Sequence, residues 1–382
     1  MNPPATVPPP HHAGLDAVRG LAATAVVLVH VYQLFLLGGH VQSWARAGDA
    51  GVSVFFVLSG YLICASVVRD PAFSRRAFAI RRAARILPAY YVSLVIALVL
   101  VDATPLFTTG GRADVAAHLV LLHGLFPGMR YSINGVWWTL TVEVLFYALI
   151  ALVAGVLRTA RGGWIVVGAM VATALAWRHL VWSPDPTTTA YRIQQLPGVA
   201  DLFAAGMALA LAERAAWFRR LMARSWARIV VLAGTAVALP LVLWIYHANQ
   251  PTYLRSTRLL LLWPLALGIA VAGLILCIRT WGVASDRIAR RSGLALLGTL
   301  SFGIYLMHPF VIGAYGPAWF ARNPDPPVVP FVLFALAGSV LTATGLHLWV
   351  ERPGMDWGRR LTAPTRPTSP APHPAPQPQE AS

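Results

Sequence analysis

The stretch LDAVRGLAATAVVLVH (residues 15–30) sets an arginine and a histidine, Arg19 and His30, in an otherwise apolar run. At 100° per residue, eleven positions close on themselves to within about 20°, so the two share one helical face with about 16 Å of rise between them. Histidine is the side chain whose ordinary pKa suits a general base, and arginine is the usual partner of an anion. Glu143, inside GVWWTLTVEVLFYALIAL (135–152), is a second ionisable group in an apolar run. A carboxylate beside an imidazole orients the ring and raises its basicity. SFGIYLMHPF (301–310) adds Tyr305 and His308 one turn apart on neighbouring faces. RDPAFSRRAFAIRRAARILPAYY (69–91) carries six arginines, of which Arg82 and Arg85 form an i, i+3 pair suited to bidentate phosphate contact. Plainer roles stand beside each of these: Arg19 as an interfacial anchor, Glu143 as a tie between helices, His308 as a packing residue, and the arginine loop as a topology signal.

The elements that must position these groups follow from composition. The 382 residues are 57% hydrophobic and only 12% charged, whereas soluble domains are near one quarter charged. Apolar runs long enough to cross a bilayer recur through the chain, so the fold expected is an all-α polytopic membrane protein. Spans are placed near 15–37, 51–68, 88–106, 134–156, 163–182, 196–212, 228–247, 258–277, 293–315 and 328–350, about ten transmembrane helices. The run VAAHLVLLHGLF (115–126) is too short to cross and is read as interfacial. With ten spans and both termini cytoplasmic, 22 of the 30 basic residues, all arginine, fall inside and eight outside, as the positive-inside rule requires. Measured along these helices, His30 lies about 10 Å and Glu143 about 13 Å below the outer boundary. They are expected at one depth.

The same arginine distribution explains the net charge of +16 without nucleic acid, which would need a basic face on an accessible domain. Cys64 and Cys277 lie in apolar runs and make no disulfide framework. No His, Cys, Asp or Glu spacing resembles a metal site. The N-terminus lacks a basic n-region and a cleavage site, so the first helix is expected to be retained. Residues 1–12 and 357–382 are Pro-rich and expected to be disordered, flanking a single integral-membrane domain at 13–356. Absent internal repeats weigh against transporters built from repeated halves.

Taken in order, these segments resemble the acyltransferase family 3 membrane acyltransferases. The resemblance rests on the arginine–histidine spacing of Arg19 and His30, on GVSVFFVLSGYLI (51–63), on RRAARILP with Arg82 and Arg85, on WWTLTVEVLFY with Glu143, on SFGIYLMHPF, and on the closing ERP (351–353). A Phe is commoner in the family where Tyr61 stands. Residues 157–292 match in hydropathy alone. The resemblance implies transfer of an acyl group, often acetyl, from acyl-CoA to a hydroxyl or an amine, with carbohydrate, lipid or macrolide-type acceptors, in a bacterial cell (inner) membrane.

Residues and resemblance together give one expected mechanism. Arg82, Arg85 and Arg19 would meet the phosphates of acyl-CoA on the cytoplasmic side, and the pantetheine arm would bring the thioester to His30. His30, oriented by Glu143, would act as general base, with no metal required. Trp138, Tyr305 and His308 would line the acceptor side or steady the oxyanion. Ser59, beside Gly60, would permit close helix packing; no G-x-S-x-G elbow makes it a nucleophile. The competing expectation is a proton-coupled transporter or flippase in which His30, Glu143 and His308 form a relay.

Overall fold

The computed structural model describes residues 12–35, 47–322 and 327–363. The expected disorder of residues 1–11 and 364–382 lies outside them. Every regular element among the described residues is helical. Among the described residues, nine helices are long and apolar enough to cross a membrane, or ten if one bent pair counts as a single span. The chain is a multi-pass membrane protein of the expected class.

Helices α1 (Ala13–Phe35) and α2 (Ala50–Arg69) are followed by α3 (Arg75–Ile96), which runs on through a π turn at Ala97–Val101. Here the structure corrects the expected boundary of 88. The arginine-rich segment is not a loop before Pro88 but more than two turns of α3. Ser74 starts the helix by accepting from the Ala77 N–H at 3.3 Å, and arginine and alanine are strong helix formers. Pro88 is carried inside α3, as neighbouring helices allow in membranes.

A short helix, α4 (Thr109–Leu119), ends at Leu121, whose φ of 58° turns the chain sharply away. The segment 115–126 therefore does not cross. Next come α5 (Trp138–Leu157), α6 (Ala160–Leu180), and the pair α7 (Pro186–Ile193) and α8 (Leu196–Ala212), bent by 47° at their junction. The amphipathic α9 (Ala216–Ala223) leads into α10 (Ser225–Asn249), α11 (Thr257–Thr280), α12 (Gly282–Arg291), α13 (Leu294–Arg322) and α14 (Val328–Leu346).

The last helix, α15 (Arg352–Leu361), extends five residues into the tail expected to be disordered. Its glycines explain why: Gly354 packs against Pro88 and the Ala84 carbonyl, and Gly358 against the Ala84 side chain, so α15 rests on the arginine-bearing part of α3. Met355 on α15 accepts a hydrogen bond from Arg85 at 3.2 Å.

Close helix packing sets the frame for the site. Gly60 on α2 and Gly206 on α8 each face backbone of the other helix, and a methyl group at either would overlap a carbonyl, of Phe203 or Val57. Gly298 on α13 meets the backbone of α1 at Asp16 in the same way. Small residues let backbones approach where lipid supplies no hydrophobic drive. The core runs continuously from Phe56, Val57 and Tyr61 through Phe146, Phe203 and Met207 to Leu267 and Ile275.

Candidate functional site

Two cavities lie end to end in the frame of α1, α2, α3, α5 and α13. The inner one is small, about 70 Å³, and is lined by Arg19, Ser59, Arg85, Glu143 and Tyr147. The outer one holds about 490 Å³ and is lined by His30, Gln33, Trp138, Arg178 and Trp263 among others. Val52, Phe56 and Tyr305 line both and form the partition between them.

On α1, the expected face holds. Arg19 opens on the inner cavity, with Asp16 one turn away at 4.0 Å. His30 opens on the outer one. Its Nδ1–H donates to the Val26 carbonyl at 2.8 Å. A carbonyl can only accept, so this bond fixes the tautomer and leaves Nε2 with its lone pair. That is the form a general base needs.

The expected partnership of His30 with Glu143 is not formed. The Glu143 carboxylate accepts from Ser59 at 3.3 Å and from the Tyr147 hydroxyl, both on the inner-cavity side. The two groups line different cavities, His30 the outer and Glu143 the inner, whose linings share Val52, Phe56 and Tyr305. His30 instead meets His308, ring centroids 4.9 Å apart and edge to face. His308 is fully buried; its Nδ1–H donates to the Ile304 carbonyl at 3.1 Å, and its Nε2 has no partner. The chain His30–Glu143–His308 that a proton relay would need is thus broken at Glu143.

Arg82 and Arg85 also part company. Arg85 joins Arg19 on the inner cavity. Arg82 lies 5.5 Å over the ring of Tyr147 and 5.6 Å over that of Phe78, in a separate apolar groove between α3 and α5. Three residues of helix turn a side chain by about 300°, enough to send the two guanidiniums to different sides of α3. Tyr147 connects them, because it walls both the groove and the inner cavity.

Of the acceptor-side residues, Trp138 lines the outer cavity. Tyr305 is pinned in the partition: its hydroxyl donates to the Val136 carbonyl at 2.7 Å and meets the Thr139 hydroxyl at 2.8 Å. Its proton is committed to the backbone, so it holds α13 to the start of α5 rather than offering a donor to an oxyanion.

Three features lie outside the expected site; of their residues, sequence reasoning reads Asp201, His118 and His123 as structural and gives the arginines no site role. Arg178 on α6 and Asp201 on α8 form a fully buried pair with contacts of 2.6 and 3.3 Å, and Arg178 also reaches the wall of the outer cavity. Arg130 is buried over the face of Trp138 at 4.3 Å and donates to Gln194 at 2.7 Å. His118 and His123 stack with centroids 3.9 Å apart. Burial lowers the pKa of both, and that of His123 is pushed down to about 3 by burial and by His118 beside it. Only Asp201 and the histidines carried a signal, as polar groups in apolar runs; Arg130 looked like a loop charge and Arg178, near the end of the 163–182 span, like an outside topology charge.

An arginine and a histidine thus line successive cavities, with a carboxylate on the arginine's side. The family described as "Acyltransferase domain" matches residues 12–347. The peptidoglycan O-acetyltransferase OatA of Listeria monocytogenes is 28% identical over 341 residues, 81% of this chain and 51% of that protein. The putative peptidoglycan O-acetyltransferase YrhL of Bacillus subtilis is 27% identical over 370 residues, 90% of this chain and 55% of that protein. The exopolysaccharide production protein ExoZ of Rhizobium meliloti is 28% identical over 349 residues, 83% of this chain and 93% of that protein. The chain thus spans about half the length of the first two relatives. No solved structure matches. With nearly every described helix inside the matched region, the chain belongs to the acyltransferase family 3 of membrane proteins.

Proposed function

We propose that the protein transfers an acyl group, acetyl in the simplest case, from acyl-CoA to a hydroxyl of a carbohydrate, lipid or macrolide-type acceptor. In this reading the arginine-rich end of the bundle faces the cytoplasm of a bacterial inner membrane. The observation that carries it is the pair of cavities meeting at one partition, with Arg19 and Arg85 on one side and the Nε2 face of His30 on the other.

The polyanionic donor approaches Arg85 and Arg19, where guanidiniums favour phosphates. The acceptor occupies the outer cavity, whose aromatic and amide walls suit a polyhydroxylated molecule. His30 Nε2 takes the acceptor's hydroxyl proton as its oxygen attacks the thioester carbonyl. The C–S bond breaks, and the CoA thiolate leaves and regains a proton. His308, packed edge-on, limits how the His30 ring can turn. Glu143, held by Ser59 and Tyr147, offsets the charge of Arg19 and Arg85 in the inner cavity. An inner cavity of about 70 Å³ has room for about two waters at liquid density, so the donor arm enters only as Phe56 and its neighbours move aside.

Purified protein should bind CoA, and Arg85→Ala should bind it more weakly. His30→Ala should keep CoA binding but lose about 10²–10⁴ in transfer rate. Wild-type transfer by His30→Ala removes the base assignment. Absence of CoA binding removes the donor assignment.

A further inference from the structure

Away from both cavities, at the arginine-rich end, the last turns of α2, α8 and α11 converge on Glu213. Its carboxylate accepts from Arg69 on α2, from the Arg279 Nε–H on α11 at 3.3 Å, and from the Tyr61 hydroxyl at 2.9 Å. Arg219, on α9, is held differently, by donating to the backbone carbonyls of Glu213 and Arg214. These three arginines and Glu213 wall a cavity of about 450 Å³ that shares no residue with the inner cavity.

Three guanidiniums against one carboxylate leave this wall with an excess of two positive charges. Glu213 orients Arg69 and Arg279 without neutralising the group. Phe218, Met222 and Leu276 line the same cavity. A cavity lined by both guanidiniums and hydrocarbon fits an amphiphile better than a nucleotide, which would leave the apolar lining unfilled. Its surroundings point the same way. α9 and the start of α10 expose Trp217 (62%) and Trp226 (55%) beside the cavity, and tryptophan gathers where headgroups meet hydrocarbon.

We propose that this cavity binds an anionic phospholipid, its phosphodiester against Arg69, Arg219 and Arg279 and one acyl chain along Phe218, Met222 and Leu276. Basic pockets between membrane helices bind anionic headgroups by this chemistry. A soluble phosphate shares the first half of that recognition and lacks the second.

The full chain in mild detergent, offered phosphatidylglycerol or phosphatidylcholine of matched chains, tests the site by native mass spectrometry. Phosphatidylglycerol should be retained selectively. Arg219→Gln, which leaves the Glu213 ion pairs intact, should lower its retention about fivefold, and Arg219→Lys should restore most of it. Met222→Trp, filling the apolar side, should lower retention with the charges unchanged. Equal retention of the two lipids overturns the proposal. So does full retention in both Arg219→Gln and Met222→Trp, or displacement of phosphatidylglycerol by millimolar inorganic phosphate, which reassigns the cavity to a soluble anion. Acyl transfer enters none of these readouts.

Discussion

Glu143 and His30 sit five residues from the outer ends of their helices and yet bond to different partners. Spacing along one helix made Arg19 and His30 legible as a line, because a single helix has fixed geometry. Whether two groups on different helices touch depends on what stands between them, and Phe56 and Tyr305 were silent as a partition until the helices were placed. The buried pair Arg178–Asp201 teaches the same lesson at another position. Its arginine, near the end of the expected span 163–182, counted only as an outside charge because its partner lies on a different helix, 23 residues on. Removing one member should show what the pair holds. Asp201→Ala strands a buried guanidinium and should cost about 3–5 kcal/mol of stability. Replacing both by apolar side chains of similar size, Arg178→Met with Asp201→Leu, should recover most of that loss. Thermal unfolding in detergent decides, and an Asp201→Ala protein as stable as the wild type would show that the pair is not desolvated.

The helices themselves were largely readable, since each apolar run of about twenty residues gives one span. The exceptions have local causes. α3 begins at its Ser74 cap and not at Pro88, and α15 forms because glycines let it lie on α3. Glycine at a crossing is also the basis of a test. Gly206→Ala should push α8 from α2 and destabilise by about 1–3 kcal/mol, loosening Ser59 from Glu143. Gly168→Ala and Gly234→Ala, which meet nothing nearby, should be neutral or slightly stabilising. Equal effects in all three would refute the close-approach argument. The α4 segment predicts a pH dependence. His123 titrates near 6.5 unfolded but is held down to about 3 when folded. Below pH 6.5 the unfolded chain therefore takes up a proton the folded one refuses, and stability falls with acidity by up to about 1.4 kcal/mol per pH unit from this group. Above pH 6.5 it contributes no slope. His123→Phe, stacked in its place, should flatten the acid limb of a melting-temperature profile; an unchanged limb would place the proton elsewhere.

Over the whole molecule, charge is divided between two ends. Arg69, Arg75, Arg158, Arg214 and Arg279 lie at the end where α1 begins, and the proposed topology, following the positive-inside rule, puts that end in the cytoplasm. A cysteine at Arg220, between α8 and α10, should resist an impermeant maleimide in intact cells, while one at Thr187, on α7, should react. The reverse pattern would invert the molecule. The outer cavity was not legible in the sequence because its walls, among them Trp138, Gln194, Tyr246 and Trp263, come from segments scattered over 138–263 and converge only when folded.

The partition of Val52, Phe56 and Tyr305 bears on more than catalysis. Two water-accessible cavities in line through a bilayer would otherwise make a conducting pore, and a cell energised by an ion gradient cannot tolerate one. Phe56 and Tyr305, which line both cavities, are placed to interrupt such a file of water. In the proposed reaction the donor arm would pass by displacing these side chains and would then seal the path itself. Widening the barrier with Phe56→Ala should therefore make vesicles holding the protein leak protons when no CoA derivative is present, and adding the ligand should quiet them.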